Sequence, residues 1–379
     1  MTDEPKQPYF NFDEYIRQGE PDAAASAEQW QTAMGLQAVD GLKPSQYLID
    51  TARRNIEGEI TIDEVQDLLR SYYASEANRS VTGEDAEEAD KAAANIKRIL
   101  STQTLAFNTN GFLSTHRRIF DGVMKHAGEL RKYDITKKEW VLRGDTVNYL
   151  NWEDLRRAID YDIQQEKAFS YKGLSDIEKV RHLCYFTADL WQIHAFPEGN
   201  TRTTAVFLIQ YLRSIGYKVN NDMFAKHSWY FRNALVRANY KNSALGIDYD
   251  YQYLERFFRN LLLGENNELK NRHLVINAPD NWNETQKPAT VACDGSFEVV
   301  LGKLGEKAKK LGKKLGKNKI GILQLIYDNP NISTTQMSEK IGISTTAIDN
   351  NIRQMRDVFI KHIGPHKGGR WEIIMDNEL

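Results

Sequence analysis

The sequence predicts a mainly α-helical chain ending in a small α+β unit. Apolar residues recur at helical spacing over most of residues 93–263, Ser/Thr-x-x-Glu pairs mark helix starts, and strand-like alternation is confined to two short places. With 379 residues, 41% of them hydrophobic and 27% charged, the chain has room for several domains with cores of their own. A net charge of −2 gives no global pull toward nucleic acid. No apolar run approaches the roughly 18 residues that a membrane span requires, so no membrane partner is expected. The start, MTDEPKQPYF, lacks the basic-then-apolar pattern of a secretory signal. Two cysteines, Cys184 and Cys293, offer no disulfide framework, and a cytoplasmic setting is expected.

Residues 23–73 are helical in character, with a turn at Gly58 and a capped helix start at Thr61. Ala74–Lys91 reads as a polar, acidic connector. In Asp134–Leu150, apolar residues Trp140, Val141, Leu142 and Val147, Tyr149 flank a Gly-Asp turn, which predicts a β-hairpin. Ser175 and Glu178 form a capping box that opens a helix with Ile177, Val180, Leu183, Cys184, Phe186 and Leu190 inward. A further helix from Thr203 to about Ser214 carries Val206, Phe207, Leu208, Ile209, Tyr211 and Leu212, is apolar on most faces, and stops at Gly216. Gly264–Gly295, rich in Asn, Pro and Asp, marks a boundary, and Lys303–Lys319 is strongly basic.

The last stretch reads as a domain of its own. Ile320–Tyr327, Thr334–Ile341 and Ser344–Val358 are three short helices with a tight turn at Gly342, the spacing of a helix-turn-helix. Phe359–Ile363 and Arg370–Ile374 flank GPHKGG as a two-stranded wing, so the unit resembles a winged helix. Its third helix would turn Thr345, Thr346, Asn350 and Arg353 toward a major groove, with His366, Lys367 and Arg370 reaching backbone phosphate. Duplex DNA is one partner for such a unit. The other use is dimerisation or docking, and the lysines of Lys303–Lys319 fit a solvated amphipathic helix nearly as well as a nucleic-acid contact. A homo-oligomer is compatible with the sequence.

The most informative run is His194-Ala195-Phe196-Pro197-Glu198-Gly199-Asn200-Thr201-Arg202, placed directly before an apolar helix. A helix pinned in a core presents its first N–H groups in a fixed direction, and Gly199 with Asn200 leaves room for an anion to approach them. Histidine and carboxylate then flank a phosphate-sized hole. Taken singly, a histidine before an apolar helix is more often a packed core histidine, and a glutamate four residues on more often a cap. Their conjunction is what carries the reading.

At these residues the chain resembles the Fic (Fido) family, whose motif reads H-x-F-x-[D/E]-G-N-G-R-x-x-R. His194, Phe196, Glu198, Gly199, Asn200 and Arg202 match, while Thr201 replaces the second glycine and Ala205 the last arginine. His116–Arg131 looks like the family helix that ends in Gly-x-x-Arg, here Gly128 and Arg131, and 134–150 falls where family members carry a flap that holds the target's backbone. The resemblance implies a Fic helical core with a β-hairpin flap. It divides the chain into an antitoxin-like regulatory region (1–92), the Fic core (93–263), a linker with the basic segment (264–319) and the winged helix-turn-helix (320–379).

The implied reaction moves AMP from ATP to a Ser, Thr or Tyr hydroxyl of a protein target. His194, whose side-chain class titrates near about 6.5, would be the general base. Glu198 would hold Mg²⁺. The N–H groups of Gly199, Asn200 and Thr201, with the Asn200 side chain, would bind the α-phosphate, and Arg202 the β-phosphate. Phe196 would anchor the loop. Ala205 lacks the arginine that grips the γ-phosphate, so together with Thr201 it is expected to alter rate or donor. Leu36–Pro44 resembles a degenerate inhibitory helix, [S/T]-x-x-x-E-[G/N] in the family, with Asp40 and Gly41 as its regulatory pair. Because that helix normally pairs with the arginine missing at 205, inhibitor and partner are expected to have been lost together. Arg53–Gly58 is a second candidate for it. The alternatives are a weakly catalytic nucleotide-binding transcriptional regulator and a Fic enzyme using another phosphate-containing donor.

Overall fold

The structure is a computed structural model, and it describes residues 11–76, 78–79, 83–102, 104–219, 222–277, 304, 316–330, 332–341, 344–356, 358–363 and 370–374. The chain divides into two compact units, Met1–Asp134 with Lys138–Lys287, and Ile135–Lys137 with Pro288–Leu379.

The first unit is helical. Its helices are α1 (Asp13–Gln18), α2 (Pro21–Gly35), α3 (Gln46–Ile56), α4 (Ile62–Ala74), α5 (Glu84–Leu100), α6 (Thr109–Ile119), α7 (Leu155–Ala168), α8 (Asp176–Gln192), α9 (Asn200–Ser214), α10 (Asp222–Ala238) and α11 (Gln252–Leu263). The capping boxes at Thr61/Glu64 and Ser175/Glu178 both form, each satisfying backbone donors that a helix start leaves orphaned. Helix α9 is the centre of the unit: every residue from Asn200 to Leu212 is buried, and it packs on α5, α6 and α8. Such burial on all faces is what an apolar helix without a polar stripe requires. Helix α2 lies against α5 and α10, and it runs directly into a 3₁₀ turn, Leu36–Asp40, closed by Gly41 at φ 75°.

Three local expectations are corrected. The connector from Ala74 ends early, because Glu84–Leu100 is helical and buries Ala89, Asp90, Ala92, Ala93, Ala94 and Ile96. Small alanines pack closely without the large apolar residues that announce a core helix. The helix at His116 stops at Ile119, where Asp121 and Gly122 (φ 69°) turn the chain toward Gly128. The segment 134–150 is no β-hairpin. Trp140–Leu142 forms a 3₁₀ turn closed by Glu139 N–H to Asp145 C=O at 2.8 Å and Gly144 N–H to Glu139 C=O at 3.0 Å, with Arg143 left-handed at φ 53°. Val141, Leu142 and Val147 are all buried, so both arms sink into the core instead of pairing as a free ribbon.

The second unit has α12 (Lys317–Asp328), α13 (Thr334–Ile341), α14 (Thr345–Met355) and the antiparallel strands β1 (Ile360–Ile363) and β2 (Arg370–Ile373). Ser344 caps α14 by accepting from the Ala347 N–H. Its core joins Ile322, Leu323, Ile326, Met337, Ile348, Ile352 and Met355 to Phe359, Ile360 and Trp371 of the wing. Trp371 fixes the wing through its indole N–H to the Ile332 carbonyl at 3.1 Å.

Candidate active site

The loop from His194 to Gly199 is held by anchors from three directions. Arg131, with its side chain fully buried, spends its guanidinium on backbone: Nε donates to the His194 carbonyl at 2.8 Å, Nη1 to Tyr133 at 2.6 Å, and Nη2 to Ile193 at 3.3 Å and to Leu150. Its own N–H bonds the Ala195 carbonyl at 3.0 Å. Asn200 closes the loop from within, accepting from the Phe196 N–H at 2.9 Å and donating to the Phe196 carbonyl at 2.7 Å. One hydrogen of that amide is therefore spent on shaping the loop, and the NH₂ group carries a second. The first turn of α9 adds backbone N–H groups that have no helical carbonyl to bond.

His116, which sequence reading passed over, is the third anchor. It is fully buried, its Nδ1 accepts from the Gly128 N–H at 2.8 Å, and Nε2–H therefore donates to the Glu198 carbonyl at 3.1 Å. Phe196 stacks on its ring at 3.8 Å and 17°. Gly128 must be glycine, because its φ is 81° and a Cβ would meet Arg117 at 2.7 Å. Gly199 has the same need at φ 69°, with Phe120 only 2.2 Å from an added Cβ.

Burial drives the His116 pKa down to about 3. The unfolded chain, with histidine near about 6.5, takes up a proton that the folded chain refuses, so stability is intact above that pH and falls as pH drops through it toward 3. Urea unfolding at a series of pH values should show this acid loss, and His116→Asn should flatten it in that window. Equal slopes for both proteins would remove His116 as the cause.

His194 itself is buried and left-handed at φ 48°, a conformation uncommon outside glycine that is sustained here by the Arg131 and Trp191 backbone contacts. Tyr149 lies 4.2 Å from its ring and Trp191 meets it edge-on at 5.1 Å. Tyr149 donates its hydroxyl proton to Glu139 at 3.0 Å, and Glu139, wholly buried, is gripped by Arg232 at 2.6 Å and 3.2 Å. Burial and then the Glu139 charge hold the Tyr149 phenol well above its ordinary pKa, so it stays a donor. Thr201 accepts from the Trp191 indole N–H at 2.9 Å. Glu198 sits at the partly exposed rim of the loop.

Arg202 departs most from expectation. Its side chain is 1% exposed and enclosed by two of this chain's own acids, Asp40 at 2.7 Å and Glu88 at 2.7 Å, and by the amide of Gln37, whose side-chain oxygen accepts at 3.0 Å. The Phe120 ring lies 4.7 Å from the guanidinium. Burial works against the charge, but the Asp40 and Glu88 carboxylates outweigh it and raise the Arg202 pKa. Asp40 has thus kept an arginine partner, which corrects the expectation that both had been lost; the partner is the first arginine of the motif. Ala205 is wholly buried in the core, so an arginine restored there would have its charge in apolar packing.

In the second unit, Thr345, Asn350 and Arg353 are exposed on α14. The side chains of Thr346 and Arg370, and His366 and Lys367 altogether, lie outside the described residues, as does most of Lys303–Lys319. Among the described residues no cluster of three or more His, Cys, Asp or Glu side chains could hold a metal, and no helix is long and apolar enough to cross a membrane.

Fold and loop together define a helical protein whose buried central helix starts from a fixed loop that carries a histidine and a carboxylate. Residues 106–212 match the Fic/DOC family model and residues 315–357 that of the winged helix-turn-helix DNA-binding family; the chain carries a Fic/DOC domain followed by a winged helix-turn-helix. Protein adenylyltransferase VbhT of Bartonella schoenbuchensis is 27% identical over 139 residues, a match spanning 37% of this chain and 27% of that protein. The chain thus spans about a quarter of that relative's length. Among solved structures, a Fic family protein from Desulfovibrio desulfuricans aligns with 96% of this chain and 92% of its own at a TM-score of 0.41 and 11% identity. The N-terminal Fic domain of a Bartonella effector protein from Bartonella sp. AR 15-3 aligns over 46% of this chain and 82% of its own, at 0.37 and 17%.

Proposed function

We propose that this chain is a Fic-type nucleotidyltransferase that moves AMP from ATP to a Ser, Thr or Tyr hydroxyl of a protein target in the cytoplasm. The observation that carries the reading is the fixed loop placing His194 beside the first turn of α9, with Glu198 at its rim. His194 accepts the proton of the target hydroxyl while that oxygen attacks the α-phosphorus. The bond to the bridging oxygen breaks, and pyrophosphate leaves. The backbone N–H groups of Gly199, Asn200 and Thr201 face the charge that builds on the α-phosphate. Glu198 would be the carboxylate that holds Mg²⁺, an ion that takes as few as one or two protein carboxylates and would supply positive charge beside the substrate phosphates. With Arg202 enclosed, the chain rests in a restrained form in which Asp40, set by the Gly41 turn, occupies the β-phosphate grip. Incubation with labelled ATP, GTP and CTP derivatives and Mg²⁺, followed by mass analysis of the chain and of lysate proteins, tests the transfer and the donor together. An absence of covalent addition in every case would reject it.

A second activity rests on the C-terminal unit, whose family is described as DNA-binding and whose α14 exposes Thr345, Asn350 and Arg353. The full chain should bind duplex DNA with an affinity that falls steeply with salt, as counterion release dictates. Asn350→Ala or Arg353→Ala should cost about 1–3 kcal/mol on a preferred site only. No binding at low salt leaves the unit as a docking or dimer surface.

A further inference from the structure

We propose that Thr201 is a positioning residue for His194, acting through Trp191. The inference rests on the transferase reading for its kinetic consequence but not for its geometry. Where the resembling family has glycine, this chain has a buried threonine whose hydroxyl accepts the only polar hydrogen of the Trp191 side chain, at 2.9 Å. Trp191 is 1% exposed and its ring stands at 89° to the His194 imidazole, 5.1 Å away. Tyr149 lies 4.2 Å from the same imidazole, and its hydroxyl is fixed by the Glu139–Arg232 pair. Both aromatic neighbours of the histidine are therefore held by directional bonds. A ring held only by packing can rock; one tied at its N–H cannot turn without breaking a buried hydrogen bond. Thr201 also sits one residue from the motif's Asn200 and Arg202, so the same helical turn presents its N–H to an anion and its side chain to the wall of the base.

The consequence runs against simple restoration of the motif. Thr201→Gly, which supplies the family's residue, should slow transfer because it removes the acceptor. Thr201→Val, which keeps shape and backbone N–H but not the acceptor, should lower kcat about tenfold, the scale on which slight misplacement of a reacting group acts, and leave KM for nucleotide near the wild type. Thr201→Ser should recover most of the rate. Trp191→Phe, which keeps an aromatic wall and removes the donor, should match Thr201→Val. An activity-independent readout is the His194 imidazole resonance through a pH titration: Thr201→Val and Trp191→Phe should shift or broaden it, and Thr201→Ser should not. If the protein transfers nothing while these resonances respond, the transferase reading fails and the positioning stands. Wild-type kcat together with unchanged resonances in Thr201→Val would overturn the proposal, provided thermal unfolding shows the variant folded.

Discussion

The Asp40→Ala, Glu88→Ala double variant should unfold about 3–5 kcal/mol more readily than the wild type when no nucleotide is present, the usual cost of leaving a buried charge without its partner. Arg202 keeps the Gln37 hydrogen bond and the Phe120 ring in that variant but no direct ion pair, and its side chain is 1% exposed, so water cannot replace the two carboxylates cheaply. A polyphosphate can. Adding ATP with Mg²⁺ should therefore stabilise the double variant far more than the wild type, in which the same guanidinium is already neutralised. Urea unfolding with and without nucleotide reads both effects. Under the proposed function, labelled transfer should also rise, because the β-phosphate grip no longer has to be vacated. Each single variant retains one carboxylate at 2.7 Å and should show a smaller change. Equal nucleotide stabilisation of wild type and double variant would mean that Arg202 is a structural ion pair and no part of a phosphate site.

Replacement of His194 by alanine should lower transfer by about 10²–10⁴, the range that a positioned general base contributes. Nucleotide affinity measured by calorimetry should stay near the wild type, since the base is needed only in the chemical step. Folding should be retained as well. Arg131 bonds the carbonyl at position 194 and not its side chain, and alanine leaves that bond in place. The left-handed φ of 48° costs alanine slightly more than histidine, so thermal unfolding is measured beside activity. Wild-type transfer in a folded His194→Ala protein would take the histidine out of the mechanism.

The helical class, the capping boxes and the winged helix were legible because each depends on local spacing and local hydrogen bonds. The flap was misread for a physical reason. Trp140, Val141, Leu142 and Val147, Tyr149 flank a Gly-Asp turn as two strands would, but Trp140–Leu142 closes into a 3₁₀ turn on Glu139 and so leaves no extended arm to pair. The loop from His194 to Arg202 could be found from its residue types, but its supports could not. His116 lies 82 residues from the carbonyl it bonds, and Glu88 lies 114 residues from the guanidinium it pairs with. Neither carries a periodic or compositional mark. Gln37 stands three residues before Asp40, close enough that a helical turn would bring both to one guanidinium, and this was the one available hint.

Helix α5 bears two acids whose partners lie on different sides of it. Asp90 accepts from the Ser45 N–H at 2.8 Å and from the Tyr73 hydroxyl at 2.6 Å, with burial pushing its pKa up to about 6 against those bonds, while Glu88 reaches Arg202. Two residues of α-helix turn by about 200°, so the pair straddles the rod. A roll of α5 that carries Glu88 away from Arg202 would also draw Asp90 out of its seat on Ser45, the residue that caps α3. The two acids fix the rotation of α5 about its own axis from opposite sides, so the reach of Glu88 to Arg202 and the seat of Asp90 on Ser45 are set by one angle.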